Sequence, residues 1–352
     1  MNSTVIRRAA APALAWHFVP ALLALGYPGY LSVFHDQAAA HRPLAALLAM
    51  ALCLAVPGSA YLSLTRLAAQ AGDDARVPVL RRLAHLTFAS PPLYVLIGVL
   101  LYLMKIEGRD YAVWLGCWAL VLAGTGLSLA MRAGGMGGVG GMAAQAALAA
   151  PRRLNTAPVR VLHGISAAAI LLVYLFPHLG NHVLGLLGND AHRHLMLILR
   201  HVYRAAWVEP VLISLFFLQI VSGLLLLLPK LETAQDRFGN LQTATGAYLV
   251  TFIGCHINSV FVLARYFGTD TDYAWATGQP TGLVADAWSV RLIPHYSLAA
   301  AFVLCHVVCG LRGVLLAHGT ARARADRIAL LLIGASLCWA VAIVLGMLGV
   351  RL

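Results

Sequence analysis

Fourteen histidines stand in a chain of 352 residues in which only 11% are charged. Imidazole is the side chain best suited to ligate iron or to move a proton near neutral pH. At membrane depth it is costly unless it faces a cofactor, a partner group or a pathway. Four histidines sit well inside long apolar runs (His178, His182, His256 and His306), and His163 lies nearer a run's end. A b-type haem in a helical bundle takes two imidazoles from different helices at similar depth, one on each face of the iron. Counted from the same side, His256 lies about 17 Å and His178 about 25 Å into their predicted helices at 1.5 Å per residue. Helix tilt absorbs a mismatch of that size, so His178 and His256 read as an admissible pair of haem-iron ligands. Pro177 predicts a disturbance of the helix just before His178. The competing reading is that each histidine simply hydrogen-bonds a neighbouring helix.

The other histidines carry less. His192, His194, His201 and His318 fall in or beside predicted loops and read as solvated. His17 and His85 sit near the ends of their helices at about the level of His163. Three histidines at one level could hold a second haem, but snorkelling to the headgroups is the simpler expectation. His35 and His41 flank a loop with nothing near them in sequence to complete a metal's coordination. His182, four residues after His178 and on the same face, is a candidate quinone or propionate contact. His295 and Tyr296, at the start of a helix, could serve a quinol pocket. Glu209-Pro210 reads as a helix start rather than a proton carrier.

The elements that must position these groups are membrane helices. The chain is 61% hydrophobic with a mean hydropathy of +0.80, which excludes a soluble enzyme, a disordered protein and a disulfide-stapled module. Apolar blocks of 20 or more residues predict an all-α polytopic bundle of about nine spans, roughly 11–34, 44–66, 84–104, 112–131, 161–186, 207–228, 245–267, 292–317 and 328–350. The net charge of +12 is concentrated in alternate loops. That pattern reads as the positive-inside rule, with the N-terminus cytoplasmic and the C-terminus outside, rather than as nucleic-acid binding. Contact with anionic lipid headgroups is a secondary reading. The first apolar run is longer than the core of a cleaved secretion signal and reads as a retained helix. All six cysteines lie in apolar stretches, as packing residues do.

Three segments organise the chain: a four-helix module over 1–131, a Gly/Ala-rich cytoplasmic linker over 132–159 and a five-helix module over 160–352. The linker holds a formal GxGxxG (Gly135, Gly137, Gly140). No strand is predicted before it, so the dinucleotide reading fails. The loop from Gly268 to Arg291, with Trp275 and Trp288, reads as an interfacial aromatic belt more than as a lid.

The segments RVLHGISAAAILLVYLFPHLGNH (160–182), LQIVSGLLLL (218–227), FIGCHINSV (252–260) and VLCHVVCGLRG (303–313) resemble the five-helix cytochrome b subunit that anchors succinate dehydrogenases and fumarate reductases. In two-haem members each of the first four helices gives one axial histidine. The resemblance places His178, His256 and His306 at the first, third and fourth of these positions. At the second this chain has Gln219, which is not a usual haem ligand. The resemblance therefore implies one bis-histidine haem b between His178 and His256. It leaves His306 as an orphan, a lone ligand or a hydrogen-bond partner of Gln219. Arg160 and Arg312 would lie near the propionates of an inner centre. The function implied is electron passage between a membrane quinone and a partner, with any flavin or iron–sulfur chemistry on separate subunits, in the bacterial cytoplasmic membrane. The alternative is a cofactor-free scaffold, sensor or transporter that kept the fold, or a haem-handling protein.

Overall fold

The computed structural model describes residues 14–70, 74–133 and 155–352. The Gly-rich stretch with Gly135, Gly137 and Gly140 lies outside them. The described residues are helical throughout, with no strand among them. They form α1 (Val19–Leu25), α2 (Tyr27–Ala39), α3 (Pro43–Ala69), α4 (Val77–Phe88), α5 (Ser90–Leu103), α6 (Asp110–Ala133), α7 (Ala157–Ile170), α8 (Phe176–Val183), α9 (Asn189–Tyr203), α10 (Val208–Leu227), α11 (Arg237–Asn258), α12 (Leu292–Ala317) and α13 (Arg322–Met347). Among the described residues seven helices are long and apolar enough to cross a membrane, and up to nine spans result if two bent pairs each count as one. The chain is thus a polytopic helical membrane bundle.

The bent pairs are α1–α2, turned by 53° at Gly26, and α4–α5, turned by 58° at Ala89. A helix that starts anew inside a bilayer leaves N–H groups without partners. At α5 the second and third residues are Pro91 and Pro92, which have no N–H to satisfy. The turns carry α4 inward. His85 and His17 are consequently buried, at 2% and 1% exposure, instead of reaching the headgroups as the sequence suggested. His17 donates to or accepts from the Ser63 hydroxyl at 2.7 Å.

For orientation, the end of the bundle with Arg66, Arg237 and Arg322 is called the basic face. The end with the Gly268–Arg291 loop is the loop face. At the basic face Asp236 caps α11 by accepting from the Gly239 amide at 2.8 Å. The same carboxylate takes Arg312 at 3.1 Å and Arg322 at 2.9 Å, and Arg312 also binds Asp326 at 2.6 Å. Arg312 is therefore committed to carboxylates on α13 and at the start of α11, not free for a propionate. Glu209, at the start of α10, pairs with Arg265.

Helices α11 and α12 pack along each other and against α3, α4 and α5. Helix α7 behaves differently: apart from its own continuation it packs extensively on α10 alone. Its continuation includes a π-helical turn over Leu171–Leu175, just before Pro177. A second π segment, Ser259–Tyr266, follows α11. Such turns absorb a broken ladder and often accompany functional sites.

The segment between α8 and α10 is not a solvated loop. Helix α9 lies there and buries His192 at 3% exposure. Its ring stacks on Tyr273, 4.2 Å between centres. Tyr273 in turn is wedged against Gly185, where a Cβ would lie 2.0 Å from its hydroxyl. Burial pulls the His192 pKa down to about 4, although Asp272 nearby opposes the shift. Between about pH 6.5 and 4 the unfolded chain therefore takes up a proton that the folded chain refuses. Stability from this site is complete above pH 6.5 and falls as the pH drops towards 4. Thermal unfolding in detergent at pH 7 and pH 5 checks this: the drop in midpoint should shrink in His192→Phe, which keeps the stacked ring.

Candidate functional site

The histidines of α8 and α11 meet in the loop-face half of the bundle. The rings of His178 and His256 face each other with centres 6.1 Å apart and planes at 63°. Each ring is braced from its own helix by the aromatic residue four positions earlier. Tyr174 stacks on His178 at 5.1 Å and 17°, and Phe252 stacks on His256 at 5.5 Å and 13°. Residues four apart share a helix face, so the two braces are built the same way. Neither imidazole has a hydrogen-bond partner among the described residues. Both are half-buried.

The separation has a chemical meaning. A metal–imidazole bond of about 2 Å, with the ring centre about 1.1 Å behind the nitrogen, puts two axial rings about 6.2 Å apart across one metal ion. The observed centre spacing is 6.1 Å, so His178 and His256 are the two side chains that would hold such an ion. Perpendicular or tilted ring planes are compatible with this, because each ring turns about its own axial bond. Among the described residues, no group of three or more His, Cys, Asp or Glu side chains is placed to hold a metal ion. A bis-imidazole haem needs only two.

A row of imidazoles runs from this pair to the loop face. His182 packs edge-on against His178, 4.7 Å between centres. Its Nδ1 lies 3.3 Å from His192 Nε2, which Asn181 also approaches at 3.3 Å. His192 was missed from sequence because 187–206 reads as a loop. The run of apolar residues over Leu195–Leu199 was the signal that a helix was there.

On the other side of His256 lies a cavity of about 380 Å³ between α5, the end of α11, the Gly268–Arg291 loop and α12. His256, His295 and Tyr296 line it together with Asp286, Trp275 and Trp288. That volume falls in the range of small-molecule sites. His295 is buried, and its Nδ1 has no partner and no solvent access. Its Nε2 is the nitrogen left to face the cavity. Burial opposes ionisation of Asp286, but the Ser289 hydroxyl, the Ser289 and Trp288 amides and nearby His35 hold its carboxyl below the usual range. The two tryptophans are 36% and 40% exposed, so the loop both forms an aromatic belt and roofs the cavity. His35 bonds the Val284 carbonyl at 3.0 Å and helps seat that loop.

In the basic-face half, Gln219 and His306 do not bond each other. Gln219 Nε2 lies 2.9 Å from His163 Nε2, while His306 Nδ1 donates to the Gln242 carbonyl at 3.0 Å. The ring facing His306 is that of His163, 6.4 Å between centres. His163 is thus a bundle-interior residue, not a headgroup one.

No protein-family model matches this chain, and comparisons with curated proteins and with solved structures also found no match.

Proposed function

We propose that the protein is a membrane cytochrome b that passes electrons between a quinone and a partner protein. His178 and His256 would hold a haem b in the loop-face half. One observation carries this reading: two membrane-depth imidazoles from different helices, with no hydrogen-bond partner among the described residues, lie with ring centres 6.1 Å apart. When bound, a bis-imidazole haem supplies a one-electron couple inside the low-dielectric bundle.

The chain's own residues do the rest. Tyr174 and Phe252 fix the planes of the two ligand rings. His256 is also a wall of the adjoining cavity, so one side chain belongs to both sites. That cavity suits a flat quinone ring: Trp275 and Trp288 line it, and His295 offers its Nε2 to a quinol hydroxyl. Oxidising a quinol releases two protons and two electrons, and the electrons would leave one at a time for the partner protein, which is the oxidant. The cavity's position near the loop face gives the protons a short exit, past Asp286. Reading the basic face as cytoplasmic by the positive-inside rule puts this exit outside the cell.

The test is a pyridine haemochrome assay with a reduced-minus-oxidised spectrum on protein purified in mild detergent. Low-spin, six-coordinate haem b bound in stoichiometric amount supports the assignment. Folded protein that binds no haem on reconstitution would reject it and favour a cofactor-free scaffold or transporter.

A further inference from the structure

We propose that a groove at the end of α9 binds the phosphate of an anionic phospholipid at the loop face. The site shares no residue with the histidine pair or with the cavity beside His256, and it stands whether or not the chain holds a haem.

Helix α9 has 15 residues and joins two spans at the loop face. It is too short to cross a membrane, so it runs along that face, as interfacial amphipathic helices do. Leu195, Met196, Leu199 and Tyr203 are half-buried, whereas Leu197, Ile198 and Val202 are exposed. Trp207, just before α10, is exposed, and so are Val211 and Phe217 further along α10. Such apolar surface suits acyl chains, and a tryptophan at the end of a span suits the headgroup level.

The groove holds about 400 Å³ and is lined by Leu197, Arg200, His201, Arg204 and Ala205. Residues 197, 200, 201 and 204 are spaced by three and four, which gathers them on one side of α9. The charges around them do not cancel. Arg265 takes Glu209, and Arg193 takes Asp272 at 2.9 Å. Asp270 lies 3.4 Å from Arg200 and 3.6 Å from Arg193, shared between them. Arg204 is left with no carboxylate and no side-chain hydrogen bond among the described residues. Burial and the neighbouring Arg265 and Arg200 guanidiniums pull its pKa down, against the pull of Glu209 and Asp270. The cation is thus partly desolvated and crowded by like charge, and an anion between Arg204 and Arg200 relieves both costs.

A guanidinium presents a planar fork of donors that matches two phosphate oxygens. The apolar wall of Leu197 and Ala205, continued by the exposed side chains of α9 and α10, gives a lipid contacts that a free phosphate cannot use. A choline headgroup would bring a second cation against the guanidiniums. The occupant that fits is therefore a phospholipid with net negative charge.

The experiment is native mass spectrometry of the purified full-length protein in mild detergent. The protein is titrated with phosphatidylglycerol, with phosphatidylcholine of the same chains, or with inorganic phosphate. The tightest-held lipid is expected to be phosphatidylglycerol. One arginine at an anionic lipid surface contributes about fivefold in binding, so Arg204→Gln should lower phosphatidylglycerol affinity by that factor and leave phosphatidylcholine unchanged. Arg204→Lys keeps the charge and should recover most of the loss. Arg324→Gln, at an exposed arginine of the basic face, should change neither affinity. Equal affinity for the two lipids overturns the proposal. A loss in Arg324→Gln as large as in Arg204→Gln also overturns it, since the attraction is then general. Displacement of the lipid by inorganic phosphate at equal concentration would do the same, leaving a site for free anions.

Discussion

His256→Ala should remove the six-coordinate low-spin spectrum of the loop-face haem, with His178→Ala doing the same. The expected loss is large because, in the proposed site, each residue would supply one of only two protein bonds to the iron. The nearest other imidazole, His182, packs against His178 and shares its Nδ1 with His192. The variants should differ in their second effect. His256 also lines the 380 Å³ cavity, whereas His178 does not. His256→Ala should therefore weaken the binding of a quinone analogue as well, and His178→Ala should leave that binding within about twofold. Optical spectra with isothermal titration of the analogue separate the two. An unchanged spectrum in His256→Ala would sink the assignment of the ligand.

Asp110→Ala should lower stability by about 3–5 kcal/mol, the usual result of stranding one member of a buried ion pair. Asp110 begins α6 and Arg291 immediately precedes α12, so their 2.5 Å contact ties two helices at the loop face. Arg291 is 7% exposed, and its guanidinium lies over Tyr94 at 4.7 Å and Trp288 at 5.0 Å. Gly98 permits this approach: a Cβ there would stand 2.7 Å from Arg291 Nη1. Removing the carboxylate leaves the cation enclosed by rings with no counter-charge. Replacing both partners (Asp110→Leu with Arg291→Leu) should cost less than Asp110→Ala alone, since no charge is then buried unpaired. Unfolding in detergent, followed by circular dichroism, measures both. A double variant less stable than the single one would show that the pair contributes through packing rather than charge.

The membrane bundle was legible in the sequence because a span is set by composition over about 20 residues. The bends at Gly26 and Ala89 were not, since hydropathy carries no direction. Missing them put His17 and His85 at the surface instead of in the core. For His178 and His256, depth alone gave no more than an admissible pair, and it was the resemblance that put them together; their ring centres lie 6.1 Å apart. The facing of His163 and His306 could not be read. Depth counted from estimated helix ends put them at different levels, and the second-position pattern drew His306 towards Gln219. The bonds that settle the neighbourhood run instead from Gln219 to His163 and from His306 to a backbone carbonyl. Such choices depend on side-chain geometry, which a one-dimensional pattern does not carry.

The sparse packing of α7 bears on biogenesis. That helix leans on α10, to which its His163 is bonded through Ser222 and Gln219, and it has little packing on the other helices. A ligand held between His178 and His256 would tie the hairpin to the rest of the bundle, and its binding energy adds to folding energy. Newly inserted chains should thus remain open to membrane proteases until they are loaded. The amount of protein a cell accumulates would then report its haem supply, independent of transcription.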